Sequence, residues 1–260
     1  MILDLDVSHP HVLAENLNEV TSKITGYLEE TEQNGKIVME LPVKFQERIL
    51  RLKVKFSVEK RVLFIFLKNR RNDGDCLTTS IQNIRGKIRG KVEIIMSKND
   101  CDLPRPGGGN YLMGLSDSLF YYLGCEYAVL SDESWIKHPA CDIETMLIFI
   151  RCFQGKIGSW YSKFGFLNKD EDLLREMLTD LYHLDLDQID SEVFDLHPPK
   201  VDPHNGERQT FGPYMARLWK IDCSSYEMLF TDIKEQTDYI DNILSIADEQ
   251  LTKRYFTDDE

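Results

Sequence analysis

A glycine triplet behind an arginine is the first feature of this sequence that could do chemistry. In the segment NDCDLPRPGGGN, Arg105 stands between two prolines and glycines occupy positions 107–109. The prolines favour extended backbone, and glycine permits conformations that are closed to residues with a Cβ atom. Such a loop can turn its backbone N–H groups toward an anion, and a helix that starts near Tyr111 would add its N-terminal dipole. The pattern predicts a cradle for phosphate groups, with a flexible linker as the alternative.

Regular elements surround this loop in a readable order. KVEIIMS before it and YAVL after it are typical of buried strands, and a helix that ends at Gly124 lies between the loop and the second strand. The apolar face of that helix consists of Leu112, Leu115, Leu119, Tyr122 and Leu123. This order predicts ligand binding near the strand ends of an α/β sheet. The loop is neither a Rossmann nor a Walker fingerprint, because leucine occupies position 112 and the sequence G-K-S/T is absent.

The motif SWYSKFGF, residues 159–166, adds a tyrosine that could transfer a proton. A phenol, with an ordinary pKa of about 10, is a competent donor when it is positioned beside a leaving group. Together the glycine loop and this motif resemble the GNAT superfamily of N-acetyltransferases. In that family the loop R/Q-x-x-G-x-G/A holds the pyrophosphate of acetyl-coenzyme A, and a later helix ends in aromatic-Tyr-x-x-x-Gly-Phe. Arg105 and Gly108 match the loop, whereas Asn110 stands where Gly or Ala belongs.

The resemblance implies an α/β fold with a GNAT-like mixed, mainly antiparallel sheet flanked by helices and followed by a C-terminal helical extension. It implies an acetyl-CoA-dependent N-acetyltransferase of unknown small-molecule or protein amine acceptor, in which Tyr161 is the general acid. The residues expected to hold acetyl-CoA are Ile95, Met96, Arg105, Gly107, Gly108, Gly109 and Asn110. The general base stays unassigned, because Glu40, Glu47 and Glu93 are each more simply interpreted as surface charges.

The charge distribution supports a second hypothesis, a non-catalytic GNAT-like interaction protein. The net charge of −13 argues against simple coating of DNA. Residues 44–98 nevertheless hold 15 Lys/Arg against 5 Asp/Glu, whereas residues 169–196 hold 10 Asp/Glu against 2 Lys/Arg. The basic 44–98 face could bind phosphate groups of a cofactor or of nucleic acid, but a solvated sheet face is the favoured interpretation, with Phe45, Phe56 and Phe64 in the core. A protein or nucleic-acid partner could bind this face or the C-terminal helices, and nucleic acid is not the favoured partner.

Hydrophobic periodicity predicts the elements outside the glycine-loop region. It predicts a helix over Val12–Glu32, a strand that ends before Pro42, a β-hairpin over Ile49–Leu67 and a loop at NRRNDGD, residues 69–75. It further predicts an acidic amphipathic helix that includes Leu173–Leu181, a helix from Phe211, and one long helix over Ser224–Phe256. The predicted domains are therefore a GNAT-like domain over 1–168, an acidic helix and Pro-rich linker over 169–209, and a C-terminal helical region over 210–260.

The long C-terminal helix carries a pattern close to a coiled-coil seam. Its members are Leu229, Ile233, Gln236, Ile240, Ile243 and Ala247. Packing of this seam onto the protein's own core is favoured over a homodimer, because the nearest partner of a single helix is intramolecular.

The six cysteines, at 76, 101, 125, 141, 152 and 223, form no C-x-x-C pair. We therefore expect reduced thiols and no metal site. Near His138 and Cys141, a buried Cys141 and a helix cap by Asp142 are favoured over a nucleophile or metal ligand. The chain has no apolar run of about 18 residues, so we expect no membrane partner and an intracellular, cytoplasmic or nuclear location. SWYSKFGF also resembles uncharacterised proteins of large DNA viruses, which would place a viral chain in the host cytoplasm or the virion.

Overall fold

The computed structural model of the chain describes residues 3–5, 14–23, 37–45, 48–57, 61–69, 74–95, 108–132, 134–201 and 207–255. Its contacts divide the chain into two compact units, one of Met1–Leu130 with Thr252–Glu260 and one of Ser131–Leu251. The domain boundaries predicted at 168/169 and 209/210 do not coincide with this division. The reason is that the acidic helix and the helices after residue 210 share one hydrophobic core with residues 146–153.

The first unit is built on a mixed, mostly antiparallel sheet. Its strands are β1 (Leu3–Asp4), β2 (Ile37–Phe45), β3 (Arg48–Ser57), β4 (Val62–Asn69), β5 (Asp75–Ile84), β6 (Lys87–Ile95) and β7 (Tyr127–Ser131), joined by the C-terminal strand Gln250–Arg254. β8 (Trp135–Lys137) and β9 (Glu144–Met146) form a separate hairpin, so the strand Gln250–Arg254 is β10. The strand order in the sheet is β1-β2-β3-β4-β5-β6-β7-β10. Neighbouring strands from β2 to β6 are antiparallel, whereas β1 with β2 and β6 with β7 are parallel.

The predicted hairpin of β3 and β4 is confirmed, because apolar and basic residues alternate along β3. Leu50, Leu52 and Val54 are buried, and Arg51 and Lys53 point to the opposite face. β2 continues through Pro42, although the sequence pattern predicts that the strand ends before it. Proline is tolerated there because, in the described part of the chain, β1, the outer neighbour of β2, pairs with Val43 and Lys44 and not with Pro42.

In the basic segment Lys68–Gly90, strands β5 and β6 agree with the favoured interpretation of a sheet face, and most of the loop predicted at residues 69–75 lies outside the described residues. β5 and β6 form a hairpin joined at Arg85 and Gly86, whose φ angles of 54° and 89° are those of a tight turn. The run of threonine and β-branched residues in β5 favours a strand, and the basic residues of β6 occupy alternate positions.

Among the described residues, two helices belong to the first unit. Residues 14–23 are helical (α1) with Leu17 and Val20 buried, and the rest of the predicted helix over Val12–Glu32 lies outside the described residues. Helix α2 (Gly108–Tyr122) packs on β5 and β6. The packing is close at Gly90, where a Cβ atom would lie 2.5 Å from a ring carbon of Phe120.

The second unit is mainly helical and contains the β8–β9 hairpin. Its helices are α3 (Leu147–Phe153), α4 (Glu171–His183), α5 (Val193–Leu196), α6 (Phe211–Ile221), α7 (Cys223–Gln236) and α8 (Tyr239–Ala247). SWYSKFGF forms a 3₁₀ turn over Trp160–Phe164 that ends at left-handed Gly165, rather than the end of a longer helix.

The single long helix predicted over Ser224–Phe256 is wrong. The chain is extended at Thr237, where α7 ends, and after α8 it forms β10. The side chain of Gln236, the one polar member of the seam, bonds both the N–H and the C=O of Asp190, which fixes the end of α7. The five apolar seam residues are buried in the unit's own core, so the favoured intramolecular packing is confirmed and this seam offers no exposed homodimer surface.

The expected α/β class with a mainly antiparallel sheet flanked by helices is thus observed. Among the residues that the structure describes, no helix is long and apolar enough to cross a membrane.

Candidate functional site

The residues predicted to hold acetyl-CoA fall at the end of β6 and the start of α2. Ile95 is the last residue of β6, and Gly108, Gly109 and Asn110 open α2, which begins three residues before the predicted start. Met96, Arg105 and Gly107 lie outside the described residues. The first N–H groups of a helix have no acceptor within the helix, and the first turn of α2 carries no acidic side chain. Helix N-termini are typical binding positions for phosphate groups.

The parallel ladder between β6 and β7 is short. Residues Arg89–Lys91 pair with Tyr127–Val129, yet β6 continues to Ile95 and β7 to Ser131. A helix that connects parallel strands generally starts at the edge where their carboxyl ends lie, and in α/β sheets ligands bind at that edge. Residues 96–107, which join β6 to α2, lie outside the described residues.

Tyr161 lies in the second unit, in the 3₁₀ turn of the aromatic motif. Its ring is buried, and its hydroxyl lies 3.0 Å from Ser134 Oγ. Burial raises the pKa of the phenol, an effect that the Ser134 hydrogen bond partly opposes. The phenol therefore stays protonated at neutral pH, the state that a general acid requires.

A buried carboxyl group, which the sequence analysis did not single out, lies in the same unit as Tyr161. Asp132 is 4 % exposed and accepts a 2.6 Å hydrogen bond from Ser159 Oγ. Burial raises the pKa of Asp132, while hydrogen bonds from Ser159 and Ser134 and the charge of Arg151 oppose the rise. Ser134 thus contacts both Asp132 and Tyr161. Together with Ser159, these side chains form one polar network of four. No periodic pattern marks this network, because its members come from two separate segments, residues 132–134 and 159–161.

The three candidate bases are explained as surface charges where they are described. Glu40 pairs with Arg51 at 3.2 Å. Glu93 pairs with Lys91 at 2.7 Å and accepts a hydrogen bond from Ser80. Glu47 lies outside the described residues. The general base of an acetyl transfer therefore remains unassigned.

A cluster of one histidine and two cysteines occupies the β8–β9 hairpin and the start of α7. We call His138, Cys141 and Cys223 the thiol–imidazole cluster. Cys141 and Cys223 form a disulfide, which corrects the expectation that the thiols are reduced. Asp142 caps no helix; it is exposed and pairs with Lys137. The short spacing of His138 and Cys141 indicates one part of the cluster. No sequence pattern near Cys223, which lies 82 residues beyond Cys141, indicates that it belongs to the cluster.

The two free cysteine thiols among the described residues are unreactive at neutral pH. Cys125 and Cys152 are buried, and burial raises the pKa of each thiol to about 12. Neither can form a thiolate at neutral pH.

Basic and aromatic side chains share one face of the sheet. Strand register places Lys53 opposite Phe66, Lys55 opposite Phe64, and Ser80 between Phe64 and Lys91. The members of this basic face are Arg51, Lys53, Lys55, Phe64, Phe66, Lys68, Lys87, Arg89 and Lys91. Phe64 and Phe66 are only half-buried and stack with ring centroids 6.2 Å apart, so Phe64 does not fill the core as expected.

Comparison with models of known families, with curated proteins and with solved structures gives no match for this chain.

Proposed function

We propose that the protein is an acetyl-CoA-dependent N-acetyltransferase whose first unit binds the pyrophosphate of acetyl-CoA at the start of α2. The observation that supports this best is the parallel β6–α2–β7 arrangement within a mostly antiparallel sheet. β6 and β7 both extend beyond their last pair, and the helix that connects them begins with Gly108 and Gly109. Backbone N–H groups and the helix dipole there would stabilise a bound dianion without many side chains. The acceptor amine is not identified by any of these residues.

Tyr161 as the general acid stays a prediction from the sequence resemblance, because it lies in the second unit whereas the proposed cofactor site lies in the first. When an amine attacks the thioester, the departing thiolate must be protonated. A phenol whose pKa is raised by burial is protonated at neutral pH and can supply that proton. Tyr161→Phe should therefore lower turnover far more than it lowers affinity for acetyl-CoA.

Calorimetry with acetyl-CoA and two variants that differ in one charge tests the cofactor site. Asn110 is exposed in the first turn of α2, so Asn110→Glu adds a negative charge where the pyrophosphate would bind, and Asn110→Gln adds the same volume without charge. The wild type should bind with a dissociation constant of about 1 μM to 1 mM. Asn110→Glu should weaken binding by about tenfold or more, which corresponds to about 1.4 kcal/mol of repulsion.

The charge in Asn110→Glu also favours the helix dipole, so loss of binding cannot be attributed to loss of the helix. Asn110→Gln serves as the matched control and should bind within about threefold of the wild type. Absence of binding at millimolar acetyl-CoA, or equal binding by the two variants, would remove the cofactor site.

A non-catalytic nucleic-acid-binding role is the second candidate, and the basic face favours it. Successive lysines and arginines could follow a phosphate backbone, and the stacked Phe64–Phe66 pair could stack on bases of a single strand. Fluorescence anisotropy with a labelled single-stranded oligonucleotide at low salt should then report binding that weakens as salt rises.

The double variant Lys53→Glu/Lys55→Glu should reduce the slope of log affinity against log salt by about 1.4, since each single-strand phosphate contact contributes about 0.7. Lys220→Glu/Lys234→Glu, on helices of the second unit, is the matched control and should leave the slope unchanged. A wild type that binds no oligonucleotide at low salt would exclude this candidate.

A further inference from the structure

The thiol–imidazole cluster brings three metal-ligand atoms to one place in the second unit. The loop between β8 and β9 carries His138 and Cys141 and is closed by a backbone hydrogen bond from His138 N–H to Ile143 C=O. Cys223 is the first residue of α7. One ligand atom from each of the three residues lies within 4.8 Å of the other two. Two sulfurs and one imidazole nitrogen are a donor set that suits zinc.

Hydrogen bonds fix which nitrogen of His138 can bind a metal. Nε2 lies 2.6 Å from the backbone oxygen of Trp219, and because a carbonyl oxygen only accepts, Nε2 carries the proton. Nδ1 accepts from the N–H of Ala140 at 3.1 Å, so Nδ1 carries a lone pair. The indole of Trp219 also packs edge-on against the imidazole, with ring centroids 4.6 Å apart. A histidine that donates one N–H to a backbone carbonyl and turns its other nitrogen inward is oriented as metal-binding histidines are.

The nitrogen that carries the lone pair, Nδ1, faces a sulfur atom. Nδ1 lies 2.8 Å from Cys141 Sγ. A disulfide sulfur has no proton, and this Nδ1 has none, so the contact has a proton to share only when Cys141 is a thiol. The geometry around His138 therefore suits a reduced Cys141, or a cation between nitrogen and sulfur, better than it suits the disulfide.

The two carboxylates next to the cysteines in sequence are engaged elsewhere. Asp142 pairs with Lys137. Asp222 accepts hydrogen bonds from the Ser224 and Ser225 backbone N–H groups and from Ser225 Oγ, and it contacts His197 at 2.8 Å. Within the described part of the chain the cluster thus has three protein ligands, which leaves the fourth position of a tetrahedral zinc ion for water.

We propose that His138 Nδ1, Cys141 Sγ and Cys223 Sγ bind a zinc ion when the two cysteines are reduced, and that the Cys141–Cys223 disulfide is the metal-free, oxidised form of the same site. The proposal does not depend on the acetyltransferase function, because every group it uses lies in the second unit outside the proposed cofactor site.

A small-molecule dithiol is the reductant that converts the Cys141–Cys223 disulfide into two thiols. Two thiol–disulfide exchanges break the Cys141–Cys223 bond, the two electrons and two protons pass to the cysteine sulfurs, and the dithiol becomes its cyclic disulfide. Zinc then displaces both thiol protons and accepts lone pairs from two thiolates and from His138 Nδ1. The sulfurs must separate so that each lies about 2.3 Å from the metal. The exposed hairpin loop at Pro139 and Ala140 can accommodate that change.

Cobalt titration of the full-length protein tests the site, because thiolate–cobalt charge-transfer absorption reports sulfur ligation directly. The protein is reduced with a phosphine, freed of metal by a chelator and titrated with Co²⁺, and Zn²⁺ is then added. The reduced wild type should bind one Co²⁺ with charge-transfer absorption that Zn²⁺ abolishes, and zinc binding in weak buffer should release about two protons. The oxidised wild type should show neither signal.

Cys141→Ser and Cys223→Ser should each lose the charge-transfer absorption, and His138→Ala should weaken cobalt binding. Cys125→Ala, which changes a buried thiol of the first unit, is the matched control and should titrate like the wild type. Circular dichroism of each variant separates loss of ligand from loss of fold. A reduced, folded wild type that binds no Co²⁺ or Zn²⁺, or a Cys141→Ser/Cys223→Ser double variant that binds as the wild type does, would overturn the proposal.

Discussion

At the scale of single residues, the second unit buries polar groups whose partners come from distant parts of the chain. Asp132 and Ser159 are 27 residues apart, and His138 and Trp219 are 81 residues apart. A buried polar group is costly unless it is hydrogen-bonded, so each of these pairs constrains how its loops can pack. The sequence shows the residue types but not the pairs, because no local spacing relates the partners.

The buried Asp132 carboxyl predicts how stability depends on pH. Burial raises its pKa in the folded state, so the group contributes stability below its unfolded pKa of about 3.9 and loses that contribution as pH rises through the folded pKa. Asp132→Asn removes the titration. As pH rises from about 3 to 7, the free energy of unfolding of the wild type should fall relative to that of Asp132→Asn.

Urea unfolding followed by tryptophan fluorescence measures this difference, since Trp135, Trp160 and Trp219 all lie in the second unit. Any hydrogen bond lost in Asp132→Asn is the same at every pH and cancels in the slope. Asp142→Asn is the control, because the Lys137 partner lowers the pKa of Asp142 and the slope should have the opposite sign. A flat difference for Asp132→Asn would show that its carboxyl does not titrate differently on folding.

At the scale of elements, periodicity predicted the helices and strands that bury one face at a regular spacing. It did not predict features that depend on contacts with distant parts of the chain. The β3–β4 hairpin, α4 and α6 were predictable because each buries one face at a regular spacing. The β5–β6 hairpin was not predicted as a hairpin, because the alternate lysines and arginines of β6 indicated only a solvated sheet face. The break at Thr237 was missed because it depends on the contact between Gln236 and Asp190, 46 residues away.

The elements around the glycine loop, at the candidate cofactor site, were also predicted only in part. The sequence predicted a strand, a glycine-rich start of a helix and a second strand, and these elements are observed in that order. It placed the helix start at Tyr111, because glycine is a poor helix former, whereas α2 already begins at Gly108. The parallel pairing of β6 and β7 was not predicted, because the two strand sequences carry no signal of direction.

At the scale of the whole molecule, the observed division differs from the predicted one because burial, not composition, defines the units. The acidic segment differs sharply in composition from its neighbours, which suggested a linker. Leu174, Leu178 and Leu181 of α4 nevertheless pack into the same core as α3, α6, α7 and α8. A change in surface charge is thus a poor guide to domain boundaries when the apolar face of the segment continues the core.

The buried seam of α7 and α8 makes the last prediction, which concerns oligomeric state. Ile243 is fully buried in the core of the second unit, so Ile243→Ala should lower the free energy of unfolding by about 2–5 kcal/mol through lost burial and a residual cavity. The decrease should be the same at two protein concentrations tenfold apart, and the mass measured by light scattering should not change. Met228→Ala, on an exposed position of α7, is the control and should cost far less. If the seam instead joined two copies of the chain, Ile243→Ala would leave a folded protein of half the wild-type mass, and the stability of the wild type would depend on concentration.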